Sequence, residues 1–439
     1  MYLNLLESPA PPVFFSRFIG MIDVGLVSLR IPYQKDIVAG LARPEAQGRL
    51  GIVPHMSVPF AASSHSKHWL HASPEVLTDR RRVARERAIA MLGEAAASSG
   101  TEDDLTPLPA EEEALLLAYW EMKMQEVCRS ENARDPSRFT DRVLAAAQLY
   151  FKRFFLVVSP MEESPLAVMF AALYLAGKVE EERIELDRLV ELSDRKLTSE
   201  VLLEQEMRLL EKLRFQLITR SPFRCLAGLE QDLHAALAGV SDGSAAALAE
   251  LPELRVATRA ALKRALCADT PLLFSPLHMA LSALLEANRA RSVPIDVAAW
   301  MHKQFGDEVG AVAGALEGPG AGSSLVELLQ RVESTTASSL SQRVDLSAKQ
   351  TKPRLKHADT QLKRLQRAVE KVRTAREAER LAAEEAQRQQ SKKAKFDKTE
   401  QLEGDGAAAL VGPLVKRRRD EEDVAPQEGP GASRVKLEA

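Results

Sequence analysis

Cysteine and aromatic residues are scarce in this chain, and long uninterrupted apolar runs are missing. Three cysteines, Cys128, Cys225 and Cys267, lie far apart in 439 residues with no CxxC spacing. That excludes a disulfide framework and a cysteine zinc site, and points to a reducing intracellular setting. With aromatics at 5% and alanine abundant, a helical protein fits better than a β-sandwich, whose strands draw on aromatic and β-branched residues. No stretch approaches the roughly 18 to 20 apolar residues that span a bilayer, so a soluble chain is expected. GxGxxG, P-loop, HRD, DFG and HExxH sequences are also missing, so no familiar nucleotide or metalloprotease motif suggests an enzyme.

What is present is helix after helix. At 45% hydrophobic, the chain can bury two compact domains plus extensions. Residues 1–60 have apolar patches and few basic residues, matching neither a secretory signal nor a transit peptide. They read as a poorly structured extension, with Met56 a possible translation start. Ser73, Pro74 and Glu75 form an N-cap, N1 and N2 sequence opening an arginine-rich helix, either a solvated amphipathic helix or a partner-binding one. Glu94 to Thr106 reads as a linker that closes a 61–108 segment. From 109 to 220 the spacing predicts five helices: Glu111–Cys128, Phe139–Val157, one capped by Ser164 and Pro165, Glu185–Leu192, and Ser199–Leu217. The third, through LAVMFAALYLAG, is apolar on every side and must lie at the centre of a bundle. It ends on Lys178 and runs into the acids of KVEEE. On pattern alone, Lys178 meets unpaired helix carbonyls and the acids form an exposed loop.

AAAQLYFKRFFLVVSPMEESPLAVMFAALYLAGKVEEE resembles the first cyclin box of the transcriptional cyclins, where a YFKRF run precedes a buried helix ending in KVEE or KVDE. SHSKHWLHASPEVL, QEMRLLEKLRFQLITRSPFRCLAGLEQDL and LCADTPLLFSPLHMALSALLEANRARSV are similar, in order, to further segments of the branch that regulates the CDK-activating kinase. The resemblance covers roughly Ser64 to Glu333. It implies an all-α fold of two tandem five-helix cyclin boxes, 109–220 and 221–336, with extra N- and C-terminal helices. It also implies a non-catalytic subunit that positions a cyclin-dependent kinase, with no cofactor and no metal. The expected kinase-binding residues are Lys178, Glu181 and Glu206, with Trp69 and Arg81 from the N-terminal segment. Reversing the charge at Lys178 is expected to weaken kinase activation more than stability, since a surface substitution costs within about 0.5 kcal/mol.

The implied partners are the CDK-activating kinase catalytic subunit, a RING-containing assembly subunit and TFIIH, with no specific nucleic acid and no membrane. A Mediator-type kinase is the alternative within the family, and a TFIIB-like DNA-binding double box the alternative outside it. The chain lacks the MRxIL docking sequence of cell-cycle cyclins, while GVSDGSAAALAELPE and EGPGAGSS look like enlarged loops. His65, His68 and His71 could share a helical face, but no fourth ligand accompanies them. From about Leu346 to Gln390, within a 337–390 region, a long charged helix is expected to dock partly on the boxes, with too few apolar a and d positions for a coiled coil. Residues 391–439 read as a disordered tail. Its basic clusters, Lys392, Lys393 and Lys395, then Lys416, Arg417, Arg418 and Arg419, suit a nuclear import signal. A nuclear location follows from that expectation.

Overall fold

The computed structural model describes residues 60–99, 105–135, 138–238, 244–291, 295–297, 299–301, 325–341 and 351–408. Among them every regular element is helical. A 3-10 turn at Phe60–Ala62 leads into α1 (Ser64–Trp69), α2 (Pro74–Ser99), α3 (Ala110–Asn132), α4 (Asp141–Phe154), α5 (Pro165–Val179), α6 (Leu186–Leu192) and α7 (Ser199–Lys212). Then follow α8 (Pro222–Ala238), α9 (Ser244–Cys267), α10 (Thr270–Leu273), α11 (Pro276–Arg289), α12 (Leu325–Ser341) and α13 (Thr351–Ala408).

Local chemistry sets many of the helix starts. The side-chain oxygens of Ser63, Thr140, Ser164, Thr198 and Ser275 each accept the N–H three residues on, satisfying a donor that the first helical turn leaves open. Pro165 and Pro276 follow two of these caps, where a missing N–H costs nothing. The expected α5 is indeed buried along nearly its whole length. It packs with α3, α4 and α7 in a core that includes Met124, Val143, Phe151, Phe154, Phe170 and Leu209. Each such side chain contributes about 1.5–3 kcal/mol by leaving water. A second core gathers α8, α9, α11 and α12 around Leu226, Leu262, Leu281, Leu284 and Leu329, and Ala145 of α4 belongs to it.

Polar contacts lock the two bundles together. Asp141 at the start of α4 pairs with Arg259 at 2.9 Å and Lys263 at 2.8 Å of α9. Buried Lys152 donates to Glu121 at 2.7 Å and to the Cys267 carbonyl at 3.2 Å. The YFKRF run therefore sends each side chain to its own task. The Tyr150 hydroxyl donates to the Leu217 carbonyl at 2.6 Å, Phe151 and Phe154 fill the first core, Lys152 ties the two boxes, and Arg153 reaches the ring of Trp69.

A third apolar cluster joins α2 to the first turns of α13: Ala88, Met91 and Leu92 meet Ala358, Leu362, Leu365, Val369 and Val372 over Leu116 and Met161. Arg354 pairs with Glu112 at 2.6 Å and Arg373 with Glu163 at 2.7 Å. The compact unit extends to Arg373. The second unit begins at Thr374, and its helical residues carry Arg380 near Glu377 and Glu384 and an exposed Leu381.

Three boundaries differ from the sequence reading. α2 continues to Ser99, through part of the supposed linker, because Glu94 and Ala95 to Ala97 are good helix formers. α9 begins at Ser244, since the alanines of the supposed loop also favour helix and tolerate Pro252. α13 continues past Gln390 to Ala408, where Lys, Ala, Glu and Gln carry the propensity further than the charge pattern suggested. Residues 1–59, EGPGAGSS and the cluster from Lys416 to Arg419 lie outside the described residues, as do the side chains of Lys393 and Lys395.

Candidate partner-binding site at the end of α5

The turn after α5 explains why a buried helix ends on a lysine and a run of acids. The Glu182 N–H bonds the Gly177 carbonyl at 2.8 Å and the Glu181 N–H bonds that of Lys178 at 3.4 Å, while Glu181 adopts φ 59°. This is a Schellman closure with its left-handed residue at Glu181. Glycine usually takes that position, and a glutamate there costs roughly 1 kcal/mol or more. Gly177 is needed one turn earlier. A Cβ on it would sit 2.5 Å from Ile184 Cδ1 and 2.9 Å from the Glu182 carbonyl, so only glycine lets the returning chain lie against α5.

The acids then divide by role. Glu182 turns inward and accepts from the Thr140 hydroxyl, from its N–H at 3.3 Å and from Arg142 at 3.3 Å, placing negative charge at the N-terminus of α4. Glu180 is half-buried, and burial pushes its carboxyl upward against the pull of Arg142 and Arg224. Glu181 points into solvent.

Lys178 is more than a helix-end lysine. Its ammonium donates to both oxygens of Glu206 on α7, each at 2.8 Å, and stands 4.1 Å from the centre of the Tyr174 ring. The Glu206 side chain is 5% exposed and that of Lys178 37%, so the pair spans the boundary between core and solvent. Two of the three ammonium N–H groups are thereby used. Glu206 would be costly to bury alone, and it fixes the lysine in one place. Around them opens a groove lined by Tyr174, Gly177, Lys178 and residues 181–187. Its lining is mostly charged, with Lys178, Arg183, Asp187 and the glutamates 181, 182 and 185 beside the ring of Tyr174. On the neighbouring α7, Leu203 and Met207 are exposed apolar residues one turn apart. Sequence reasoning missed these two and Tyr174. The i, i+4 spacing of Tyr174 to Lys178 was the available signal.

The structure brings Lys178 and Glu206 together with Glu181 beside the same groove, and places the other two expected contacts elsewhere. Trp69 is 4% exposed and belongs to the first core, with its ring 5.0 Å from the Arg153 guanidinium carbon. Arg81 makes a two-pronged contact with Asp269, at 2.9 and 2.6 Å, which commits it to joining α2 to the second box. The histidines do not share a face. α1 ends at Trp69, before His71, and His65 and His71 are buried while His68 is exposed. Lys392 lies exposed on α13.

Residues 124–218 match the cyclin N-terminal domain model. The chain is 32% identical over 235 residues to Cyclin-H of Xenopus laevis, covering 52% of this chain and 68% of that protein. It is 29% identical over 249 residues to Cyclin-H1-1 of Arabidopsis thaliana, covering 52% and 70%. A chain in the structure of the CAK complex from Chaetomium thermophilum bound to ATP-gamma-S superposes with a TM-score of 0.55 at 21% identity, over 73% of this chain and 94% of that one. That likeness concerns the fold.

Proposed function

This chain belongs to the cyclin family, in its cyclin H group, and from that premise we propose that it is the regulatory subunit of a CDK-activating kinase, bound to the kinase through the end of α5 and the adjoining face of α7. The observation that carries this reading is the Lys178–Glu206 pair, held by Tyr174 and opening into the groove beside Glu181. A packed helical box resists graded deformation. It therefore suits a task in which a partner's regulatory helix must be held inward so that the partner's own lysine–glutamate pair can form. The chain supplies position and charge, and the kinase supplies the chemistry.

On this reading the assembly also takes a RING-containing subunit and joins TFIIH. It phosphorylates activation loops of other cyclin-dependent kinases and the C-terminal repeats of RNA polymerase II, and it works in the nucleus. The test is reconstitution. The full chain is combined with the CDK-activating kinase catalytic subunit and, separately, with a Mediator-type kinase, and phosphate incorporation into polymerase repeat peptides is followed. Activation of the first alone supports the proposal. Activation of the second alone, or of neither, refutes it.

A further inference from the structure

Proline follows serine or threonine seven times in the described residues, and six of those hydroxyl-bearing residues are buried or half-buried. Ser159, Ser221, Thr270 and Ser275 are buried, while Ser73 and Ser164 are half-buried at helix starts. Thr106 is the exception. It is exposed, and it lies in the stretch 105–109, which forms no regular element just ahead of α3. Pro107 and Pro109 bias the residues before them toward extended backbone, and Pro109 itself has φ −57° and ψ 146°. The remaining pair, Ser8 and Pro9, lies outside the described residues.

The stretch is held from two sides. Leu108 is buried and Leu105 packs beside it in the cluster shared by α2 and α13. Arg85 of α2 donates to the Leu108 carbonyl at 2.6 Å, and Gln361 of α13 donates to the Thr106 carbonyl at 3.0 Å. Thr106 therefore stands against the docked part of α13, and that part is basic. Within seven residues of Gln361 on either side, about a Debye length along the helix, stand Arg354, Lys356, Lys363, Arg364 and Arg367 against the single acid Asp359. Glu112 of α3 answers Arg354 at 2.6 Å, which leaves an excess of three positive charges. The next acid of α3, Glu113, is paired with Arg85.

We propose that Thr106 is a phosphoacceptor site for a proline-directed protein kinase, and that its phosphate fastens α13 to the first box. Pro107 supplies the recognition. A proline after the acceptor carries no N–H, so it fits a kinase pocket that offers that position no hydrogen-bond acceptor. In the transfer the kinase's catalytic aspartate takes the hydroxyl proton, the Thr106 oxygen bonds the γ-phosphorus of ATP, and the bond to ADP breaks. The product carries about −1.5 to −2 charges at neutral pH. Its attraction to α13 is summed over several side chains and needs no single partner. Because Leu105 and Leu108 are packed, the kinase reaches the stretch when it lifts from the cluster, and the added charge then favours its return. The site lies apart from the Lys178 groove and does not depend on the kinase reading.

The test incubates the full chain with MgATP and, in separate reactions, an active cyclin-dependent kinase and an active mitogen-activated kinase. Mass spectrometry is expected to find phosphate on Thr106, and Pro107→Ala to lose most of it. The treated chain is expected to melt about 2 °C above a Thr106→Val variant treated alike, which keeps the side-chain shape and controls for phosphate elsewhere. That difference shrinks in about 1 M salt, where the field of α13 is screened. No phosphate on Thr106 with either kinase, or phosphate there that leaves the midpoint unchanged or lower, overturns the proposal.

Discussion

The two bundles of this chain solve one problem in two ways. Each has a central helix opened by Ser-Pro, α5 in the first and α11 in the second, and each packs that helix against a later one, α7 or α12. Each also joins the two with an ion pair near the end of the central helix, Lys178–Glu206 in the first and Arg289–Glu333 in the second, at 2.8 and 2.7 Å. The surroundings differ. Glu206 is 5% exposed and its lysine rests on Tyr174, whereas the Arg289 and Glu333 side chains are 59% and 34% exposed. The turns differ as well. In the first bundle the chain is closed by backbone hydrogen bonds over Gly177, which leaves the side chains of Lys178 and Glu181 facing out. In the second, the side chain of Asn288 closes it, giving 2.7 Å to the Ile295 carbonyl and taking 3.0 Å from its N–H. The lesson is that the first bundle anchors its tip lysine on a buried glutamate, while the second leaves its tip pair in solvent.

The largest stability effect is expected where the first turn is tightest. Gly177→Val drives a side chain into Ile184 and the Glu182 carbonyl, and overpacking of this kind costs about 1–3 kcal/mol. Urea unfolding measures it. A cost below that of an ordinary surface substitution would mean that the turn yields easily and that the contrast with the Asn288 turn is cosmetic.

A second test uses the N-terminal side of the first bundle. His65 is held neutral with its pKa lowered from 6.5 to about 2, so below pH 6.5 the unfolded chain takes up a proton that the native chain refuses. Stability is therefore full above pH 6.5 and falls as pH drops toward 2, with about 1.4 kcal/mol lost by pH 5.5. His65→Asn can still accept the Arg220 N–H and is expected to flatten that slope. An unchanged slope would assign the loss to other groups.

The smallest effects separate the two ion pairs. Double-mutant cycles with Lys178→Met and Glu206→Gln are expected to give a coupling of about 1 kcal/mol, reduced from the fully buried case because the lysine is partly solvated. Arg289→Met and Glu333→Gln are expected to give less than about 0.5 kcal/mol. Equal couplings would remove the energetic half of the comparison. The same pair bears on the expectation that reversing Lys178 costs little stability, because replacing the lysine leaves Glu206 buried without its cation.

Much of this was legible in the amino-acid order. The apolar circumference of LAVMFAALYLAG placed α5 at the centre, and Ser164–Pro165 marked its start, because both signals are local. The Lys178 and Glu206 positions came from the family resemblance and not from spacing, since two residues on different helices meet only through the fold. Trp69 illustrates the limit. An indole among polar residues reads as exposed until α4 brings Arg153 beneath it. Glu94 to Ser99 and the alanines after Ser244 were misread for a different reason, as small and polar residues serve loops and helices alike and neighbouring helices decide between them.

The central claim is that the tip at Lys178, and not its counterpart at Arg289, receives the kinase. The most direct measurement reverses each charge in the full chain, Lys178→Glu and Arg289→Glu, and follows binding to the CDK-activating kinase catalytic subunit and phosphorylation of polymerase repeat peptides, after both variants are shown to be folded. The account predicts a loss of at least about tenfold for Lys178→Glu, equivalent to ~1.4 kcal/mol, and a change of no more than about twofold for Arg289→Glu. Equal losses, or a loss confined to Arg289→Glu, would contradict it.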